Sequence, residues 1–206
     1  MRPLIVLAHG AGAPSSSDWM RGWRARLESL GEVHTFDYPY MAAGKKRPDP
    51  LPTLIAAHRA AITEARSGGA APLVLVGKSM GSRVGCHVAA ETDVPVSALV
   101  CLGYPLVGQN GKVRDAVLLA LRTPVLFVQG TRDALCPLDR LEDVRARMTA
   151  HSEILIVDGG DHSLIVQKAL LKKSGRTQAD VDADIAGSIR RFLSTEDAGE
   201  ARRPTR

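Results

Sequence analysis

The 206-residue chain reads as an α/β protein built on one parallel, doubly wound sheet, and two features of the sequence predict this. Six short runs rich in Val, Ile and Leu recur near residues 3–8, 32–37, 73–77, 97–102, 124–129 and 153–157. Between them lie stretches with apolar residues at helical spacing, and strict strand–helix alternation favours parallel strands with helices on both faces. One domain is expected over residues 1–194, since this length suits a single core, and no internal repeat or interdomain linker appears.

The first run, Pro3 to Ala8, passes straight into His9-Gly10-Ala11-Gly12-Ala13. Trp19, Met20, Trp23, Leu27 and Leu30 then form a helical stripe, with Ser15 and Asp18 expected as a variant capping box. After the second strand a helix is expected from Leu51 to Arg66, with Leu54, Ile55, Ala61 and Ile62 facing inward. The third strand leads through Gly77-Lys78-Ser79-Met80-Gly81 into a helix carrying Val84, Val88 and Ala89. Gly103 to Thr123 follows the fourth strand and has room for one short helix, Val113 to Leu121, but none for an inserted cap. Leu138, Leu141, Val144 and Met148 mark the next helix. Val181, Ile185, Ile189, Phe192 and Leu193 mark the last, and residues 195–206 are expected to be a disordered tail.

The segment from Gly77 to Gly81 is G-x-S-x-G between a strand and a helix. That setting lifts a serine hydroxyl clear of the sheet on a strained turn, with glycines where strand and helix approach too closely for side chains. A serine needs a base, and the base needs a third group to hold its tautomer. Asp133 follows the fifth strand and His162 follows the sixth, both just past the carboxyl ends of strands, where open α/β sheets bind ligands. The order Ser79, Asp133, His162 leaves strand–helix units between the three. Asp161 is the runner-up acid, although adjacency to His162 points its carboxylate away from the ring. The backbone N–H groups of Ala11 and Met80 are the candidate oxyanion donors. Gly10, Gly12, Tyr40 and Tyr104 are candidates to line a substrate site, since they follow strands at the same edge. Gly10-Ala11-Gly12 lacks the later glycine of a dinucleotide fingerprint and the Lys-Ser/Thr of a P-loop. His9 precedes the serine and is assigned a structural hydrogen bond, and Lys78 a surface or loop-anchoring role.

These segments resemble the α/β-hydrolase superfamily. Within it they are similar to the group that includes testis-expressed protein thirty, the hydrolase-like domain of the third subunit of the NSL histone-acetyltransferase complex, and bacterial uncapped hydrolases. The matching stretches are Leu7 to Gly12, Gly77 to Arg83, Gly103 to Leu106, Gln129 to Asp133 and Gly160 to Ser163. Ser82, where another glycine is expected, and Ala134-Leu135-Cys136-Pro137 depart from the pattern without removing a catalytic group. The resemblance implies a minimal α/β-hydrolase fold lacking the superfamily's usual first hairpin. It also implies serine chemistry on a small carboxylic ester or thioester. A non-catalytic scaffold on the same fold is the alternative, against which the intact Ser79, Asp133 and His162 count.

Composition narrows the partners. Cys86, Cys101 and Cys136 are odd in number and lack C-x-x-C spacing, which argues against a disulfide framework or a zinc site, and no cofactor or metal is expected. Apolar runs fall short of the ~20 residues of a membrane span. Met1-Arg2 leads directly into the first strand, where cleaving a signal peptide would destroy the fold, so a cytoplasmic protein is expected. The net charge of +5 comes from scattered clusters: Lys45-Lys46-Arg47, Lys172-Lys173 with Arg176, Arg190-Arg191 and Arg202-Arg203. No aromatic residues interleave with them, so they read as solvated surface rather than a nucleic-acid face. The expected partner is a small acyl substrate; nothing in the sequence sets an oligomeric state.

Overall fold

The computed structural model describes residues 2–66, 71–91, 95–108 and 110–200, with the backbone alone for 196–200. Six strands, β1 (Leu4–Ala8), β2 (Glu32–Phe36), β3 (Leu73–Lys78), β4 (Ala98–Leu102), β5 (Val125–Gly130) and β6 (Ser152–Val157), form one sheet. Its order is β2-β1-β3-β4-β5-β6, and every pairing is parallel. The chain therefore starts in the middle of the sheet, winds to one edge, returns, and winds to the other. The change of direction falls between β1 and β3, whose carboxyl ends open the crevice that such sheets use for ligands.

Eight helices lie between and after the strands in the described residues: α1 (Asp18–Leu27), α2 (Pro39–Ala42), α3 (Leu51–Ala65), α4 (Met80–Ala90), α5 (Ala116–Ala120), α6 (Leu138–Arg145), α7 (Lys168–Ser174) and α8 (Gln178–Glu200). Alternate residues of the central strands serve opposite faces. Leu73, Leu75, Leu99, Cys101, Val125 and Phe127 pack with Ile62 of α3, Cys86 and Val88 of α4, and Leu141 and Val144 of α6. Val74, Val76, Val100, Leu102, Leu126 and Val128 pack with Met20, Trp23 and Leu27 of α1 and with Ile185, Ile189 and Phe192 of α8. Both faces of β3, β4 and β5 are covered, which is why these strands read as unbroken apolar runs.

Several boundaries differ from the sequence expectation for local reasons. The α1 cap is Ser17, with no side-chain bond, whereas the Ser15 N–H donates to Asp37 Oδ1 at 2.7 Å, so Ser15 fastens the chain to the loop after β2 instead of starting a capping box. The Val113–Leu121 helix shrinks to α5, because Val113 pairs antiparallel with Val107 and closes a hairpin. The short helices α2 and α7 add to the elements expected from the sequence. The last helix continues through Glu200, into the segment expected to be an unstructured tail, and residues 201–206, with Arg202-Arg203, lie outside the described residues. Only the hairpin and α5 separate β4 from β5, so the fold carries no cap at that position.

Candidate active site

Ser79 sits at the tip of the β3–α4 turn with φ 50° and ψ −113°, a region that costs a non-glycine residue about 1–3 kcal/mol and persists only when its surroundings enforce it. Glycine enforces it here. A Cβ on Gly77 would lie 2.2 Å from the Ser82 backbone nitrogen, and one on Gly81 would lie 2.5 Å from the Ala8 carbonyl oxygen. Main-chain atoms have nowhere to go, so both positions require glycine for β3, α4 and β1 to meet. Ser82 turns its hydroxyl back to the Ser79 carbonyl at 2.6 Å, a side-chain bond that tightens the first turn of α4 where the family pattern expects glycine.

Ser79, His162 and Asp133 converge. Ser79 Oγ is 2.7 Å from His162 Nε2, and His162 Nδ1 is 2.7 Å from Asp133 Oδ2. With Asp133 ionised, Nδ1–H donates to the carboxylate and Nε2 is left to accept the serine proton. Asp133 is buried and collects two further donors, the Leu135 N–H on Oδ1 at 2.9 Å and Gln129 Nε2 on Oδ2. Gln129 is itself held, its Oε1 accepting the Tyr104 N–H at 3.1 Å. Buried and satisfied on both oxygens, the carboxylate has one orientation.

Asp161 has a different environment. Its Oδ1 accepts the N–H groups of Ser163 at 2.7 Å and Ile165 at 3.0 Å, so it shapes the loop that carries His162. That loop is pinned from three sides. Trp19 Nε1 donates to the Ser163 carbonyl at 2.9 Å, Lys78 Nζ donates to the His162 carbonyl, and a Cβ on Gly103 would fall 2.5 Å from that same carbonyl oxygen. Lys78 also lies over the Trp19 ring, 5.4 Å from its centroid. Burial pulls its ammonium down to about 8, against the opposing pull of the Asp133 and Asp161 carboxylates. The loop-anchoring role expected of Lys78 takes this form, whereas Gln129 and Trp19 carry no such expectation from the sequence. Lys78 and Gln129 stand inside the matching segments, whereas Trp19 reads only as part of a core stripe.

The β1 loop is locked by His9. Buried and held neutral by desolvation, His9 uses Nδ1–H to reach the Gly10 carbonyl at 2.6 Å and accepts the Tyr38 N–H on Nε2 at 3.1 Å. Tyr40 Oη donates to the Ala11 carbonyl at 3.0 Å and so fixes the Ala11–Gly12 peptide, whose N–H, that of Gly12, points to the opposite side. Met80 opens α4, so its N–H lacks an intrahelical acceptor. A Cβ on Gly12 would meet nothing within 4 Å, while one on Gly10 would press on Lys78 Cγ at 3.3 Å.

Two expected substrate contacts are corrected. Tyr104 is fully buried in the core beside Cys101 and Phe127, and Tyr40 is buried beneath the Ala11 loop. Large aromatic rings following strands are drawn inward by the area they bury, and here that outweighs exposure at the sheet edge. All three cysteines are buried and free, with Cys86 and Cys101 sulfurs 3.8 Å apart and the Cys136 thiol pushed up to about 12 by burial. Among the described residues no group of three or more His, Cys, Asp or Glu is placed to hold a metal ion, and no helix is long and apolar enough to cross a membrane. A cavity of about 520 Å³ lies elsewhere, between β6, α7 and α8, and none of the three convergent residues lines it.

Residues 1–194 match the family described as alpha/beta hydrolase domain, and the chain belongs to that family. Similar solved structures include an alpha-beta serine hydrolase homologue from Coxiella burnetii (TM-score 0.68, 16% identity, 94% of this chain and 84% of that one). Est1E from Butyrivibrio proteoclasticus is also similar (TM-score 0.66, 14% identity, 95% and 88%). At these identities the likeness is one of fold. Protein sumv-2 of Caenorhabditis elegans is 26% identical over 127 residues, which is 60% of this chain but 11% of that much longer protein.

Proposed function

We propose that the protein is a serine hydrolase acting on a small carboxylic ester or thioester, with Ser79 as nucleophile, His162 as general base and acid, and Asp133 as the acid that orients the imidazole. The observation that carries this reading is the continuous pair of 2.7 Å contacts from Ser79 through His162 to Asp133, on a serine held in strained backbone. Ser79 Oγ attacks the acyl carbonyl as its proton passes to His162 Nε2. The imidazolium stays bonded to Asp133 and then protonates the departing alkoxide or thiolate. Water, deprotonated by the same nitrogen, attacks the acyl-enzyme and frees the acid and Ser79. The N–H groups of Ala11 and Met80 are the proposed oxyanion donors.

Membership of the alpha/beta hydrolase domain family supports this chemistry. With no cap between β4 and β5, little surface is available to enclose a long acyl chain, so short-chain esters are the proposed substrate class. A fluorophosphonate probe tests the nucleophile: it should label the native protein and leave Ser79→Ala unlabelled, with turnover of p-nitrophenyl acetate falling on the order of 10³-fold or more. Labelling that survives the substitution refutes the assignment. No labelling of the native protein and no serine-dependent turnover would leave a binding scaffold on the same fold.

A further inference from the structure

One turn beyond Ser79, α4 carries an unpaired cation toward a second cavity. Arg83 N–H donates to the Ser79 carbonyl at 3.2 Å, so its Cα lies about 6 Å further along the helix axis, and side chains on a helix lean back toward its N-terminus. Arg83, His87, Lys112 and Arg114 line a cavity of about 380 Å³ between α4 and the hairpin that follows β4. The Val107–Val113 bridge and the Arg114 N–H bond to the Leu106 carbonyl at 2.8 Å hold that hairpin, and the Arg114 guanidinium lies against Gly108.

The charges in this cavity do not balance. Among the described residues no side-chain ion pair or hydrogen bond engages Arg83, Lys112 or Arg114. The single carboxylate in the lining, Asp115, is bonded to Arg147 at 2.8 Å, and of the cavity cations it feels Lys112 only at longer range. Arg83 Nε and His87 Nε2 are shut off from solvent without a hydrogen-bond partner. Arg83 is half-buried and feels the Arg114 charge, so burial and repulsion both work against its cation. Solvated surface cations avoid these costs, whereas two guanidiniums converging on a cavity repay them when an oxyanion binds between.

We propose that Arg83, His87, Lys112 and Arg114 form an oxyanion-binding site that seats a phosphate or carboxylate group on the far arm of the substrate. Its place in catalysis rests on the hydrolase reading; its binding of an anion does not. Arg83 follows Ser79 by one turn of α4, and in this proposal an ester's charged terminus reaches from Ser79 to the cavity that Arg83 lines.

Thermal unfolding of the full chain is followed while inorganic phosphate, and in parallel succinate, is titrated at ionic strength held constant with chloride. Saturable stabilisation is expected for the native protein and equally for Ser79→Ala, and Arg114→Gln should need about tenfold more anion for the same shift. Whichever of phosphate and succinate stabilises at lower concentration identifies the anion. If Arg114→Gln fails to fold by circular dichroism, Lys112→Gln on the exposed turn carries the same test. For turnover, the ratio of kcat/KM for mono-p-nitrophenyl succinate to that for p-nitrophenyl butyrate should drop about tenfold in Arg114→Gln, mainly through KM. No stabilisation of the native protein beyond chloride, an unchanged anion response in the variants, or an unchanged ratio overturns the proposal. Failure of the hydrolase reading would look different: turnover independent of Ser79, with the anion titration intact.

Discussion

Replacing Asp133 with asparagine distinguishes the acid from its neighbour. Asp133 receives three donors on two oxygens: His162 Nδ1–H and Gln129 Nε2–H on Oδ2, and the Leu135 N–H on Oδ1. An asparagine has one oxygen and one NH2. Facing its oxygen to His162 and Gln129 sets the NH2 against the Leu135 N–H, and the reverse sets it against Gln129 and forces His162 into the wrong tautomer. Either way one buried donor is orphaned, at a cost of about 1–3 kcal/mol in stability. The larger effect is on rate, because an imidazolium forming at His162 loses its opposing charge; by analogy with other triads, kcat should fall on the order of 10⁴-fold. Asp161→Asn is the control. Both donors to Asp161 converge on Oδ1, so an amide oxygen can receive them, and activity should stay within about threefold. The assay is kcat/KM on p-nitrophenyl acetate, with urea unfolding to confirm that both variants are folded. Equal losses from the two substitutions, or a loss from Asp161→Asn alone, would refute the assignment of the acid.

Two further outcomes follow from packing. Gly77→Ala and Gly81→Ala drive a Cβ into main-chain atoms at 2.2 and 2.5 Å and should lose about 3 kcal/mol or more in urea unfolding, whereas Gly12→Ala, with nothing within 4 Å, should lose little. His58 is buried against Phe36, shares a hydrogen bond between its Nδ1 and the Tyr38 hydroxyl at 3.1 Å, and has its titration pulled down to about 3 by burial. The unfolded chain binds this proton near pH 6.5 and the folded chain only near 3, so this stability is present above about pH 6.5 and is lost as pH falls toward 3. Between pH 6.5 and 4.5 that is about 2–3 kcal/mol, and His58→Gln should flatten the native decline over that range by a comparable amount; an unchanged slope would refute the linkage.

The strand–helix alternation was legible because a sheet buried on both faces demands unbroken runs of Val, Ile and Leu, and the runs around Leu75, Val100 and Val128 have no other economical use. Ser79, Asp133 and His162 could be picked out because strand ends in a parallel sheet all point to one edge, so position after a strand is position in space. Glycines around the serine carried the same kind of information, since contacts at 2.2 and 2.5 Å exclude any side chain. Side-chain direction was not available from one dimension. Tyr40 and Tyr104 follow strands just as Asp133 does, yet their rings turn inward, and only packing against Ala11, Cys101 and Phe127 decides that. Trp19 reads as one more core residue until the fold brings α1 under the His162 loop, 144 positions away in sequence. The convergence of Arg83 with Arg114 was equally hidden. Charge along a chain is a sum over residues, whereas an unbalanced cavity is a property of which residues face each other, and that depends on the β4 hairpin folding back over α4.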